Sequence, residues 1–379
     1  MTTSGELRGA YDTAYYVSDC GGHAEYELFA GRKLEDPRLA AVHALAAAAA
    51  GARVLDVGCG RGELAYAFAA AGARVTAVDY SEDALALARA TAGDLPVRLV
   101  CADATQFDDA GGFDVAVASD VIEHLAPSEL DTLYARLAAM LAPSGTFVIH
   151  TWPNAWMYRY GYPRRRRDAA ARGETLPADP RTPYEQTMHV NEQRPNVLRR
   201  QLRRYFPYCE VWLGSATDPR GSLAQRLPVA ALRDATDLFA VASHLPVDRA
   251  RLLARITTDA LAVAGDAVQL SALDAPAQVA AGRAFAATVT LRNDGAAALS
   301  SFFPSPVRFA DRWLDGAGAV VSAGGRSLIA PAAAPGSVSR YALRATAPAT
   351  PGRYVLQVLI VQEFVRWFET AVEAVVTVV

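Results

Sequence analysis

The stretch Val54-Leu55-Asp56-Val57-Gly58-Cys59-Gly60-Arg61-Gly62 constrains this chain more than any other. A short run rich in strand formers, Arg53–Val57, leads into three alternating glycines, and helix-forming residues follow over Leu64–Ala71. A strand that turns directly into a helix needs backbone conformations that side chains resist. It also leaves the unpaired N–H groups of the first helical turn at the strand's end, where they suit an anion. Around this turn the chain alternates. After an Ala-rich helix over 38–50, strands are expected at Arg53–Val57, Arg74–Val78, Val97–Cys101, Val115–Ala118 and Thr146–His150. Helices are expected at Leu64–Ala71, Glu82–Ala92 and Ser128–Leu141, the last with one buried face through Leu130, Leu133, Leu137 and Leu141. Such alternation predicts a mostly parallel sheet covered by helices on both faces.

Two acids fall in register with the glycine turn. Asp79 closes the run Val75–Asp79, 21 residues beyond Gly58, the spacing of an acid that hydrogen-bonds ribose hydroxyls. Asp103, in Cys101-Ala102-Asp103-Ala104, follows the third strand, where it can accept from an adenine amino group. Glu63 stands where the dinucleotide fingerprint requires glycine, which argues against a dehydrogenase. The segments VLDVGCGRG, VDYS, ADAT and FDVAVASDVIEHL resemble the successive motifs of class I S-adenosylmethionine-dependent methyltransferases, over roughly residues 50–215. The resemblance implies that Asp56, Gly58, Cys59, Gly60 and Gly62 cradle the methionine moiety of S-adenosylmethionine. It also implies that Asp79 holds the ribose beside Tyr80, that Asp103 and Ala104 flank the adenine, and that Ser119 and Asp120 line the site.

Methyl transfer to a hydroxyl requires removal of a proton, so a base or a metal is sought. Asp120-Val121-Ile122-Glu123-His124 follows the fourth strand, and Thr151-Trp152-Pro153-Asn154 follows the fifth, with His189 further on. Glu123, His124 and His189 are the candidate catalytic residues. The pattern resembles the metal site of small-RNA 2′-O-methyltransferases and the ExxEH element of ubiquinone-pathway O-methyltransferases. That resemblance implies Asp120, Glu123, His124 and His189 as ligands of a divalent metal ion. Asp120 departs from it, being one methylene shorter than the glutamate those families carry. The alternatives are that Glu123 and His124 fix their loop without a metal and that His189 caps the next helix. Arg164–Arg167 read as a solvated loop or as a phosphate contact. Tyr15, Tyr16, Trp152, Trp156 and Tyr158 read as acceptor-pocket walls or as core. Tyr15–Gly22 resembles the N-terminal cap of methyltransferases linked to bacterial surface-glycan assembly.

A length of 379 residues predicts two domains. The first is expected over 1–265, with a cap at 1–50, an insertion or lid at 152–194 and a helical connector at 223–264. The second, 266–379, shows strand-like runs at Val268–Leu273, Phe285–Arg292, Val307–Trp313, Ser337–Ala345, Tyr354–Gln362 and Val372–Val379. It resembles the immunoglobulin-like β-sandwiches appended to bacterial polysaccharide-processing proteins, with Trp313 and Trp367 in its core. Such a sandwich could bind glycan, dimerise the protein or dock a glycan-assembly enzyme. The expected fold class is therefore a Rossmann-like α/β methyltransferase domain followed by an all-β immunoglobulin-like sandwich. A net charge of −3 and a pI near 6.1 weigh against nucleic acid as a partner. Four scattered cysteines, no leader pattern and no long apolar run point to a soluble, cytoplasmic protein. These readings favour O-methylation of a sugar in a surface glycan or glycosylated metabolite, the acceptor being a glycan or other small molecule. The alternatives are an RNA 2′-O-methyltransferase and a non-catalytic, cofactor-binding scaffold.

Overall fold

The structure is a computed structural model and describes residues 11–261 and 267–379. Its contacts divide the chain into two units. One holds residues 11–23 and Ala41–Ile256, the other Ala24–Ala40 and Thr257–Val379. The division therefore falls at 256/257 rather than at the expected 265/266. Residues 24–40, expected within the cap, cluster with the β-rich unit.

The first unit is built on a seven-stranded sheet: β1 (Arg53–Val57), β2 (Arg74–Asp79), β3 (Val97–Cys101), β4 (Phe113–Ser119), β5 (Leu141–Thr151), β6 (Tyr208–Gly214) and β7 (Asp237–Ser243). Their order is β3-β2-β1-β4-β5-β7-β6. The first five run parallel, and β7 is inserted antiparallel between β5 and β6. The result is the expected Rossmann-like, mostly parallel sheet. Helix Pro127–Met140 buries Leu130, Leu133, Tyr134, Leu137 and Met140 along one face, as the spacing requires. Leu141, expected to end that helix, instead begins β5.

Two expectations for this unit need correction. The connector 223–264 is not simply helical: its Leu238-Phe239-Ala240-Val241-Ala242 is the centre of β7, buried at every position. A strand covered on both faces loses its alternation, so in sequence it cannot be told from a buried helix. The insertion 152–194 is not a loop. It forms a π-helical turn, Met157–Gly161, then helices Tyr162–Ala171 and Pro183–Met188, each with proline in its first turn, where no N–H partner is needed. Arg164–Arg167 therefore lie on a helix.

The second unit has two antiparallel-based sheets. β8 (Val268–Asp274), β10 (Ala284–Asn293) and β13 (Ser337–Thr346) form one, in the order β13-β10-β8. β9 (Gln278–Val279), β11 (Val307–Leu314), β12 (Val320–Leu328), β14 (Gly352–Gln362) and β15 (Arg366–Val378) form the other, in the order β12-β11-β14-β15-β9. Leu291 and Leu343 of the first sheet share one core with Phe309, Trp313, Leu356 and Val358 of the second. β12 was not expected, because its largely exposed residues and Gly324-Gly325 lack a strand's pattern. Trp313 is fully buried, but Trp367 is 54% exposed and lies under the Arg326 guanidinium, so it is not a core residue. Among the described residues no helix is long and apolar enough to cross a membrane.

Candidate active site

In the first sheet the chain winds outward through β2 and β3, then returns to lay β4 beside β1. Ligands of open α/β sheets bind at such a reversal, beyond the carboxyl ends of the strands. The glycine turn lies there. Gly58 has φ +65°, and a Cβ on it would stand 2.6 Å from Val121 Cγ2. Gly62 has φ +83°, and a Cβ would meet Ala88 Cα at 2.9 Å. Both positions therefore need glycine for conformation and for space.

The acids of the motif surround this turn. Asp79, at the end of β2, accepts from the Gly60 N–H at 3.0 Å and the Ser81 N–H at 2.9 Å. Each carboxylate oxygen has two acceptor sites, so capacity for ligand hydroxyls remains. Burial raises its pKa, against these N–H groups. Asp56 is 2% exposed, and its Oδ2 has no hydrogen-bond partner among the described residues. Burial, helped by the charges of Asp79 and Glu63, pushes its pKa up to about 7. A buried carboxylate oxygen without a partner beside helix N–H groups suits a zwitterion such as the methionine end of S-adenosylmethionine. The residues present fit that group.

The remaining cofactor candidates sit as follows. Asp103 turns Oδ1 onto the Thr105 N–H and hydroxyl, at 2.8 and 2.7 Å. Ala104 packs against the sheet's core, and the buried Ser119 Oγ lacks a hydrogen-bond partner among the described residues. The Cys59 thiol is buried, and its pKa is driven up first by burial and then by Asp56 and Asp79, so it is held as an inert thiol. Tyr80 meets the Tyr11 ring edge-on.

Residues 11–23 are tied over the turn. Arg61, only 5% exposed, donates to the carbonyls of Tyr16 and Gly21 and pairs with Glu63. Ser81 Oγ donates to the Tyr11 carbonyl, and the Thr13 N–H donates to Asp83. Tyr16 lies against Gly60. Tyr11, Tyr15 and Tyr16 thus pack together at the site, and burial raises the pKa of all three phenols. Tyr158 contacts Arg181 and Glu192. Trp156 packs against the hydrophobic core, and Trp152 is half-buried.

Tyr11 links the glycine side to the second group of candidates. Its hydroxyl lies 2.9 Å from His124 Nδ1, which also lies 3.1 Å from the Met188 carbonyl. A carbonyl only accepts, so the proton sits on Nδ1 and the lone pair on Nε2. The His189 ring stands edge-on to His124 at 4.9 Å. Burial lowers both imidazoles to about 4, so both are neutral at pH 7. Glu123 is 1% exposed. Its Oε2 accepts from Thr151 Oγ1 at 2.8 Å, and Oε1 has no hydrogen-bond partner among the described residues. Burial and then the Asp120 charge push its pKa up to about 8. Asn191 bonds back to the carbonyls of Glu123 and Leu125, which holds the His189 segment against the Glu123 turn.

Ligand atoms of Glu123, His124 and His189 lie within 4.8 Å of one another, and two neutral imidazoles with a carboxylate are a donor set that fits a divalent ion. Asp120, expected as the fourth ligand, is outside this group. Its carboxylate pairs instead with His150 Nδ1 at 2.9 Å. His150 Nε2 pairs at 2.9 Å with Asp237, whose other oxygen accepts from Thr236 Oγ1. Sequence reasoning did not single out His150 or Asp237. The signal was a lone histidine in the apolar strand Phe147-Val148-Ile149-His150.

The profile of a family described as a methyltransferase domain matches residues 54–145, which span the glycine turn, Asp79, Asp103 and the Asp120–His124 segment. No curated relative matches the chain in sequence. Several solved structures are similar in part. A putative methyltransferase of Haloferax volcanii, in complex with the activator Trm112, is 16% identical, with TM-score 0.43, over 61% of this chain and 96% of that one. Phosphoethanolamine N-methyltransferase 2 of Haemonchus contortus, in complex with S-adenosyl-L-methionine, is 19% identical, with TM-score 0.42, over 60% and 59%. N-methyltransferase NodS of Bradyrhizobium japonicum is 18% identical, with TM-score 0.37, over 54% and 93%.

Proposed function

We propose that this chain, whose residues 54–145 match a methyltransferase domain and which carries an S-adenosylmethionine-dependent methyltransferase fold, methylates the hydroxyl of a sugar in a glycan or glycosylated small molecule. The observation that carries this reading is a juxtaposition. The Asp56–glycine–Asp79 cradle adjoins, through Tyr11, a cluster of buried Glu123 with half-buried His124 and His189. Asp56, Gly58, Cys59, Gly60 and Gly62 would hold the methionine end, Asp79 and Tyr80 the ribose, Asp103 and Ala104 the adenine, with Ser119 at the edge. When bound, the cofactor supplies an activated methyl group: the acceptor oxygen gains it and loses a proton, and the carbon–sulfur electron pair stays with sulfur. The chain's own task is then to align the acceptor and receive that proton, and alignment alone can supply ~7–11 kcal/mol in favourable cases. Neutral His124 and His189 suit a hydroxyl, because each offers a lone pair without burying a charge. The ring of Tyr15, packed against Tyr11, Tyr16 and Tyr184, offers a flat face of the kind that suits a sugar.

A second reading rests on the same cluster: Glu123, His124 and His189 would hold a divalent ion that polarises the acceptor hydroxyl. We read the second unit as an immunoglobulin-like sandwich that binds glycan or docks a glycan-assembly enzyme, and the protein as cytoplasmic. The test is transfer of a labelled methyl group from S-adenosylmethionine into fractionated extract, with and without a chelator. Label in the saccharide fraction supports the proposal, and its loss on chelation adds the metal. Label in RNA alone replaces the proposal with an RNA 2′-O-methyltransferase. Cofactor binding with no label in any fraction replaces it with a scaffold.

A further inference from the structure

His150 lies where β5 ends, with no exposed surface, and both its ring nitrogens face carboxylates at 2.9 Å. One nitrogen faces Asp120, the other Asp237. The Nε2–Asp237 contact has the geometry of a hydrogen bond, whereas the Nδ1–Asp120 contact is an ion pair by distance and not a directed hydrogen bond; two carboxylates this close favour the charged ring. Burial alone would lower its pKa; the charges and hydrogen bonds of the two carboxylates outweigh that and hold it up to about 10. Asp237 is 1% exposed and belongs to the interior, whereas the Asp120 side chain is 29% exposed. Asp120 also has φ +54°, unusual for a residue with a side chain, and its N–H donates to the His150 carbonyl at 3.0 Å. A strained backbone of this kind persists only where its surroundings fix it, and His150 fixes it twice, through backbone and ring. Asp120 directly follows β4 (Phe113–Ser119), three residues before Glu123, and its charge helps raise the Glu123 pKa.

We propose that His150 is a positioning residue that, anchored by Asp237, aims the Asp120 carboxylate at the acceptor, where Asp120 accepts the hydroxyl's hydrogen bond and takes its proton. This rests on the O-methylation reading and assigns the proton to Asp120, leaving His124 and His189 to orient the hydroxyl: the O–H bond breaks, its electron pair stays on the acceptor oxygen, and the proton passes to an Asp120 oxygen. Neither His150 nor Asp237 touches the acceptor. Replacing the base costs about 10²–10⁴ in rate.

Two measurements test the proposal. The first does not depend on the acceptor. Nitrogen-15 spectra of the imidazoles at pH 7.5, for a chain with six histidines, are expected to show one ring protonated at both nitrogens, its signal absent from His150→Gln. A His150 ring with one bare nitrogen overturns the clamp, whatever the acceptor. The second is methyl transfer into the fraction that the wild-type protein labels. Asp120→Asn, which preserves shape, is expected to slow transfer at least 100-fold with S-adenosylmethionine affinity within twofold. Asp237→Asn, which still accepts from His150, is expected to stay within about fivefold. Wild-type transfer by Asp120→Asn overturns the assignment. If the wild-type protein labels no fraction, the O-methylation reading falls and the proton role falls with it, while the nitrogen-15 result still decides the clamp.

Discussion

Among the described residues, His150 of the first unit and Lys33 of the second are interior groups that face carboxylates, and the two are held differently. In the first, His150 stands between two carboxylates, one of which, Asp120, reaches the surface. In the second, Lys33 is the chain's single lysine, with its side chain 3% exposed. Its ammonium donates to the carbonyls of Leu328 and Ala342 at 2.8 and 2.6 Å and pairs with Glu35 at 3.0 Å, while Glu35 accepts from the Leu328 N–H. Leu328 is on β12 and Ala342 on β13, each the edge strand of its own sheet. Lys33 and Glu35 thus seal a seam by satisfying edge groups that would otherwise lie open. A buried charge whose partners are all interior or backbone is architecture. For the one whose partner opens to solvent, at the end of β4, we propose chemistry.

The contrast can be broken most forcefully at the seam. Lys33→Ala leaves the buried Glu35 without its paired ammonium, and should cost about 3–5 kcal/mol. It is expected to appear in urea unfolding as an earlier transition, with S-adenosylmethionine affinity unchanged. If cofactor affinity falls with it, the two cations are not separable in role. Trp313→Ala should also cost about 3–5 kcal/mol in the same unit, against less than about 0.5 kcal/mol for the exposed Trp367→Ala. Equal losses would contradict the assignment of Trp313 to the core. In the first unit, Gly62→Ala should cost about 1–3 kcal/mol, because it strains φ and meets the Ala88 backbone. Thermal unfolding reads this directly.

The smallest expected effects follow pH. Asp56, near 7, must be ionised to receive an ammonium, so cofactor affinity should rise about tenfold from pH 6 to 8, with proton release seen by calorimetry in two buffers. Glu123 and His150 have raised pKa values, so the folded chain holds protons that the unfolded chain has released. Their contribution is lost as pH rises through about 8 and about 10, and the melting temperature should fall from pH 7 to 9.5. His124 and His189, lowered to about 4, act oppositely: their contribution is lost as pH falls from 6.5 through 4.

The glycine turn with Asp79 beside it was legible in the sequence because its physics is local. Glycines at fixed spacing and an acid at the next strand's end need no distant partner to be recognised. β7 was not legible, since burial on both faces erases its alternation. The Asp120–His150 pair joins residues 30 apart, and only the β4–β5 register, which sets Ser119 opposite His150, brings them together. Lys33 could be read only as a lone lysine among arginines, because its partners lie some 300 residues away on two different sheets. Trp367 differs from Trp313 by the face of its strand, which sequence leaves open until register is fixed.

The central claim is that the glycine turn and Asp79 form an S-adenosylmethionine cradle, and calorimetric titration of that ligand into the wild-type chain and Asp79→Ala tests it most directly. The expected result is one molecule bound per chain and at least a 100-fold loss of affinity in the variant. No binding to the wild-type chain, or equal affinity in a folded variant, would contradict it.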